Sequence, residues 1–301
     1  MFILRLFGSA SLDGPDGPVA GRAGQRQRVA LLALLAVKHP RPLSRDKLVA
    51  DLWPESGTDD ARHLLRDTLY ILRSALGNDS VLGTGDDLRL NPARLTSDLW
   101  EFEAALARDD PEAAVGVYLG PFLSGFHLSD AGEFDRWADG ERSRLARRYG
   151  QALEQLATRS DDPLKVVEWW SRLAREDPHN SRVALRYMQA LEVAGDRAGA
   201  LRHASAHSEL LRSDLDAAPE SEVVALAERL RLESRAATGG SPGPTPAWNV
   251  PVPLDGVGKG GLLAAELRPP VRRAWVLPTA IVLALAVGLG VLGAALFRDR
   301  S

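Results

Sequence analysis

The stretch from residue 58 to 77, TDDARHLLRDTLYILRSALG, constrains the fold more than any other in the chain. At about 100° per residue, Ala61, Leu64, Leu65, Leu69, Leu72 and Leu76 gather into one apolar stripe. Arg62, Arg66, Tyr70 and Arg73 gather on the other side, with His63, Asp67 and Ser74 beside them. Thr58 is placed to cap the helix, Asp59 and Asp60 suit the positive end of its dipole, and Gly77 is a natural stop. The stretch therefore predicts a helix that buries one face and presents guanidinium groups and a phenol from the other. Such a face can grip phosphates or pair with guanine edges in a major groove. That makes Arg62, Arg66, Tyr70 and Arg73 candidate DNA contacts, with His63 a lesser one. A solvated amphipathic helix has the same pattern, so the neighbouring elements must decide.

Residues 3–7, ILRLF, read as a strand, and Asp13-Gly14-Pro15-Asp16-Gly17-Pro18 is turn chemistry before a return strand. Residues 25–38 read as a helix with Val29, Leu32, Leu35 and Ala36 inward and Gln25, Arg26 and Arg28 crowding its start. Pro40 and Pro42 end it. Ser44 caps a second helix over 45–53, with Leu48, Val49 and Leu52 facing the core, and Pro54 stops it. After the arginine-faced helix, Val81-Leu82, a turn over 83–87 and Leu88-Arg89-Leu90 make a hairpin. Strands, three helices and a hairpin are the order of a winged helix-turn-helix, in which the second and third helices form the motif and the hairpin is the wing. Within it Gln25, Arg26, Arg28 and Arg45 at helix starts, and Arg89 on the wing, are candidates to hold the DNA backbone.

The runs Gln25-Arg26-Gln27-Arg28 followed by LLALLA, then PLSRDKLVADLWP, then ARHLLRDTLYILRSALG resemble the OmpR-type winged helix of SARP-like transcriptional activators. The resemblance continues through Asp98-Leu99-Trp100-Glu101-Phe102, GPFLSGF at 120–126, Phe134-Asp135-Arg136-Trp137, Glu141-Arg142 and Ala194-Gly195-Asp196-Arg197-Ala198, which match the bacterial transcriptional activator domain of that family. It spans residues 2–232. It implies double-stranded DNA as a partner, contact with RNA polymerase through the loop 54–58, and a role for the helical region in activation and dimerisation. The wing departs from the family pattern, which usually carries Gly-Tyr where this sequence has Asp87-Leu88. The chain begins at the winged helix with no receiver domain ahead of it, so phosphorylation of an upstream aspartate is not the expected switch.

Residues 98–232 are expected to be entirely helical. Residues 131–158 form one long amphipathic segment with Phe134, Trp137, Leu145, Tyr149, Leu153 and Leu156 at helical spacing. Segments 166–175, 182–193 and 198–211 follow, separated by polar turns, an order that fits a tetratricopeptide-like array offering a concave face to a partner helix or a second copy. In Trp169-Trp170 one ring is expected to be buried and one half-exposed. Residues 236–273 change character to Pro- and Gly-rich sequence and read as a disordered linker, spanning roughly 35 Å as a flexible coil. The 24 residues 274–297, AWVLPTAIVLALAVGLGVLGAALF, carry no charge, enough at ~1.5 Å per residue to cross a ~30 Å hydrocarbon core. Trp275 sits where an interfacial aromatic belongs, and Arg272, Arg273 and Arg298 bracket the run. With four residues after it, the segment reads as a tail anchor in the inner (cytoplasmic) membrane, and the absence of an export signal leaves the N-terminal domains in the cytoplasm. Ala286, Gly290 and Ala294 repeat a small-xxx-small spacing that would allow helix packing in the bilayer.

Charge is unevenly spread. Residues 1–97 hold 13 Lys or Arg against 11 Asp or Glu, a balance of +2, and the remainder is −5 within a total of −3. Nonspecific DNA affinity should then be modest and fall with salt. Zero cysteines exclude disulfides, thiolate metal sites and a cysteine nucleophile. The GxGxxG at 288–293 lies inside the apolar run after no strand, and 256–261 lacks the spacing of a P-loop. His203 and His207 stand at i,i+4 with no third ligand and read as solvated. No paired carboxylates suit acid–base work, so no enzyme activity, cofactor or metal is expected.

The fold class is thus mainly α: a winged helix-turn-helix over 1–97, a TPR-like helical array over 98–235, a linker over 236–273 and a single transmembrane helix over 274–297. The function expected is a membrane-anchored, sequence-specific DNA-binding regulator, more an activator than a repressor, acting as a homodimer on direct-repeat half-sites. Two rivals are a membrane-tethered adaptor whose winged helix no longer binds DNA, and a soluble regulator whose last helix packs on its own array.

Overall fold

The computed structural model describes residues 1–19 and 24–238. The expected linker, apart from its first residues 236–238, and the expected transmembrane helix 274–297 lie outside them, and among the described residues no helix is long and apolar enough to cross a membrane.

Strand β1 (Phe2–Arg5) is the hub of the N-terminal sheet. It pairs antiparallel with β2 (Ser11–Gly14) and parallel with β7 (Leu95–Ser97), while β3 (Gly17–Pro18) extends the edge, giving the order β3-β2-β1-β7. The chain reverses twice here, first at Gly8-Ser9-Ala10 and again between β2 and β3, rather than once at the Pro/Gly cluster as expected. Just past β1 the backbone meets residues 121–124: Leu123 N donates to Leu6 O at 2.8 Å and Ser124 N to Gly8 O at 2.9 Å. A Cβ on Gly120 would stand 3.3 Å from the Gly8 Cα. Two glycines let these backbones close up where side chains would hold them apart.

Helix α1 (Arg26–Lys38) is buried on every side from Val29 to Ala36, not only along the stripe that periodicity marks. The run VALLALLA contains no polar residue to face water, so sheet, helices and wing can all pack on it. A short strand β4 (Leu43–Ser44) leads into α2 (Arg45–Leu52), capped by Ser44, whose hydroxyl accepts from Lys47 N at 3.3 Å. Helix α3 (Thr58–Leu76) follows. Its N-cap is Gly57 and not Thr58, which is the first helical residue, and Gly77 ends it at φ 103°. The wing is β5 (Val81–Thr84) and β6 (Asp87–Leu90), a hairpin closed by Gly85-Asp86 in register Thr84 to Asp87, with β4 on its outer side.

The rest is helical except for 118–131. Helices α4 (Asp98–Ala107), α5 (Pro111–Val117), α6 (Gly132–Arg159), α7 (Pro163–Glu176), α8 (Ser181–Val193), α9 (Arg197–Leu215) and α10 (Ser221–Thr238) run in order. The non-helical stretch corrects the expectation of unbroken helix. GPFLSGF is tied to Leu6, Phe7 and Gly8 just past β1, and Arg142 of α6 donates to Phe122 O at 2.9 Å and Leu123 O at 3.2 Å. From α6 onward each helix packs on the next, with α10 also reaching back to α8. That nearest-neighbour pattern is the mark of a helical repeat. Helix α10 runs through Thr238, into the segment assigned to the linker.

One apolar core runs from Leu4 in β1 to Val183 in α8 and joins winged helix to array. The junction is fixed by polar bonds too. The buried Asp98 carboxylate accepts from Leu6 N (2.9 Å), Phe7 N (3.0 Å) and Leu99 N (2.8 Å), and Trp100 Nε1 donates to Ala36 O at 2.8 Å. Burial pushes the Asp98 pKa up, and these hydrogen bonds only partly offset it.

Candidate nucleic-acid interface

Helix α3 is held from behind by α1 and α2 and from one side by the wing. Its buried stripe is Ala61, Leu65, Thr68, Leu69, Leu72 and Leu76. Thr68 takes the place expected of Leu64, which is 39% exposed. At 100° per residue Leu64 lies about 90° from the centre of the stripe and Thr68 about 50°, so angular position outweighed hydrophobicity. The outer face thereby gains an apolar side chain that sequence reasoning missed, one suited to touch a thymine methyl.

Four of the expected contacts share that outer face. Arg66 is exposed and has no side-chain partner among the described residues, and Tyr70 is 74% exposed. Arg62 lies 3.2 Å from Asp46 of α2, an exposed pair that bridges the two helices of the motif. His63 lies 3.5 Å from Asp67 one turn on. Exposed pairs of this kind are worth about 0–1 kcal/mol, so a phosphate can displace the carboxylate at little cost.

Arg73 is placed differently. Its Nε and one terminal nitrogen donate to Val81 O at 3.1 and 2.8 Å, so it braces the wing rather than facing outward. Arg45 is half-buried nearby, 4.0 Å from Asp86, and its terminal nitrogen and that of Arg73 flank Gly83, each 3.8 Å from where a Cβ would stand. The first centre of the hairpin turn is Gly85, so the wing tip is narrow and bears Asp86 rather than a cation. Arg89 is exposed on β6.

The cations at the start of α1 do not form one surface with these. Gln25 is the N-cap residue of α1 by position, yet its side chain accepts from Arg28 and not from the helix backbone. Arg26 reaches across to the array, donating to His127 O at 3.1 Å with its guanidinium 5.7 Å from the Phe126 ring centre. Gln27, which carried no expectation, ties α1 to the end of α2 through Leu52 O at 2.8 Å. The structure therefore brings together Arg62, His63, Arg66 and Tyr70, sets Arg45, Arg73 and Arg89 at the wing, and turns Arg26 to another duty.

Elsewhere two expectations fail. His207 is 2% exposed, with its ring nitrogens 3.0 Å from Pro178 O and 2.9 Å from the Ser181 hydroxyl. His203 is half-buried against Tyr187, and its pKa is held down by burial first and then by His207. Neither is solvated, because the i,i+4 spacing points both into the α8–α9 contact. Among the described residues no cluster of metal-ligating side chains occurs. Trp169 and Trp170 are both half-buried, and Arg172 covers Trp169 at 4.9 Å.

Fold and site define a winged-helix protein whose recognition-helix position is built into the same core as a helical repeat. Residues 93–231 match the family model of the bacterial transcriptional activator domain. No curated protein matches the sequence. Among solved structures the chain is similar in fold to Mycobacterium tuberculosis EmbR, determined in complex with a low-affinity phosphopeptide. The TM-score is 0.55 and the identity 23%, over 77% of this chain and 65% of that one. The chain thus spans just under two thirds of the EmbR chain. The family match falls on the helical repeat, and the likeness to EmbR is one of fold.

Proposed function

We propose that the protein is a sequence-specific, DNA-binding transcriptional regulator, an activator, tethered to the inner membrane by residues 274–297 with its N-terminal domains in the cytoplasm. The observation that carries the DNA-binding part is the outer face of α3, where Arg66 and Tyr70 stand exposed, with no side-chain partner among the described residues, between Arg62 and His63. In this reading α3 lies in the major groove, Arg66 reads a base edge, and Arg62 and His63 exchange their carboxylates for phosphates. The loop 54–58 faces RNA polymerase, as the family resemblance implies. A single winged helix binds weakly, so two copies occupy direct-repeat half-sites, paired through the helical array or the anchor. No catalytic role, metal or cofactor is part of this reading.

The test is an anisotropy titration of the unit Met1–Gly243 against genomic fragments at two salt concentrations. Saturable binding that selects particular fragments and weakens with salt is expected. Binding indifferent to sequence, or none, would leave the second reading, a membrane-tethered adaptor with a winged helix turned to protein contact. One observation favours that alternative: Arg26 and Arg73 are already engaged by backbone carbonyls of the protein. Anchoring is tested separately, by alkaline extraction of membranes from cells expressing the full chain or a chain ending at 273. Only the full chain should stay in the pellet.

A further inference from the structure

Between the end of α1 and helices α4 and α6 lies a cleft of about 590 Å³, within the range of small-molecule sites. Its two sides belong to the winged helix and to the array. Lys38, His39, Pro40 and Arg41 line it from the winged helix and Trp100, Glu103, Glu141 and Arg144 from the array, with the His39 and Trp100 rings meeting between them. The acids are already neutralised: Arg144 lies 3.0 Å from Glu103 and 2.6 Å from Glu141, and Arg148 also pairs with Glu103. Lys38 and Arg41 are both exposed, and neither has a side-chain partner among the described residues. The uncompensated charge of the cleft is therefore positive. The aromatic wall is fixed in place, because Trp100 stacks on His39 with ring centres 4.0 Å apart and its Nε1 is bonded to the α1 backbone.

We propose that this cleft binds a small phosphorylated ligand of the nucleotide class, with its phosphate between Lys38 and Arg41 and its planar ring against the His39–Trp100 wall. Phosphate suits one ammonium and one guanidinium held close in sequence, the first a point charge and the second a fork. A flat ring suits a wall made of an indole and an imidazole. A ligand in this position touches the helix beneath α3 and the first long helices of the array at once, so its occupancy is felt by both regions. The inference does not depend on DNA binding.

The experiment titrates the full chain, in detergent, with AMP and with inorganic phosphate by calorimetry, and repeats both on the variant Lys38→Ala/Arg41→Ala. Both side chains are exposed, so the variant's urea midpoint should match the parent's, which separates lost binding from lost folding. AMP should saturate, bind at least about tenfold more tightly than phosphate, and weaken at least about tenfold in the variant. Amide exchange should slow at 36–41 and 99–103 when AMP is bound. AMP no tighter than phosphate, or binding unchanged in the variant, would overturn the proposal. So would displacement of AMP by a nonspecific DNA duplex, which would assign the two cations to a nucleic-acid backbone.

Discussion

The described residues build two cores of different make. The first runs from the N-terminal sheet through α1 to α8 and is filled with rings: Phe7, Phe102, Phe122, Phe126, Phe134, Tyr118 and Tyr149. Phe7 meets Phe102 at 5.2 Å and Tyr118 at 4.7 Å, and Tyr118 stacks on Tyr149 at 4.1 Å. The second, under α8, α9 and α10, is made of Met188, Leu191, Ala200, Ala204, Val223, Leu226, Ala227 and Leu230, with no buried aromatic. Small side chains bury less apolar area each, so this end rests on a thinner contribution. The difference teaches where a signal could travel. Whatever loads α6 or α7 acts on the same packed body that holds α3, whereas α9 and α10 can loosen with the DNA-facing end intact.

The sharpest break of that comparison is Phe102→Ala. The ring is fully buried where β1, α4 and the 118–131 segment meet, so its loss should cost about 3–5 kcal/mol. Urea unfolding followed by near-UV and far-UV signals should show one coincident transition shifted to lower denaturant. Two separated transitions would show that the winged helix and the array do not share a cooperative core.

Leu230→Ala is the matching cut in the second core. Leu230 is fully buried in α10, and truncation should cost about 2–4 kcal/mol there. Hydrogen exchange should quicken in α9 and α10 while α1 and α3 keep their protection, because repeat contacts are with nearest neighbours. Equal loss of protection in α3 would mean that the two cores unfold as one.

Both cores were unevenly legible in the sequence. The order of helices and hairpin could be read from caps and breakers, since Ser44, Pro54, Gly77 and the Gly83–Asp87 composition act locally. Periodicity also placed Arg66 and Tyr70 correctly on the outer face of α3. It could not show that Arg73, on the same side, would find Val81 O, or that Arg26 would cross to His127 O, because those partners lie on other elements. The shared core was hidden for the same reason. Its joints are the Asp98 carboxylate on the amides of Leu6 and Phe7 and the Trp100 indole on Ala36, bonds between residues 92, 91 and 64 positions apart. His203 and His207 were misplaced because two imidazoles at i,i+4 look alike in or out of a helix contact.

On the DNA-facing side, Arg66→Ala should weaken specific binding by about 1–3 kcal/mol if the guanidinium reads a base, with no change in the urea midpoint. Arg73→Ala should act differently, since it removes two hydrogen bonds to the wing and so should lower stability as well as affinity. An unchanged isotherm for Arg66→Ala would remove that residue from the interface and leave α3 without its one unpaired arginine among the described residues.

The smallest effect expected is a response to pH, and it pairs one histidine from each region. His39, stacked on Trp100 at the first core, and His203, against Tyr187 at the second, both have pKa values pushed below the ordinary 6.5 by burial, helped by Arg89 and His207 respectively. A lowered folded-state pKa means that the unfolded chain binds protons first as pH falls. The stability contributed by these neutral rings is therefore full above about pH 6.5 and is lost as pH drops from there towards the folded values. Urea midpoints measured at pH 7.5 and 5.5 should fall at the lower pH. His203→Gln cannot titrate, so it should remove the part of that drop seen by exchange in α9 and leave the part near α1. A His203→Gln chain with the full wild-type drop in α9 would show that the second core does not hold its histidine neutral.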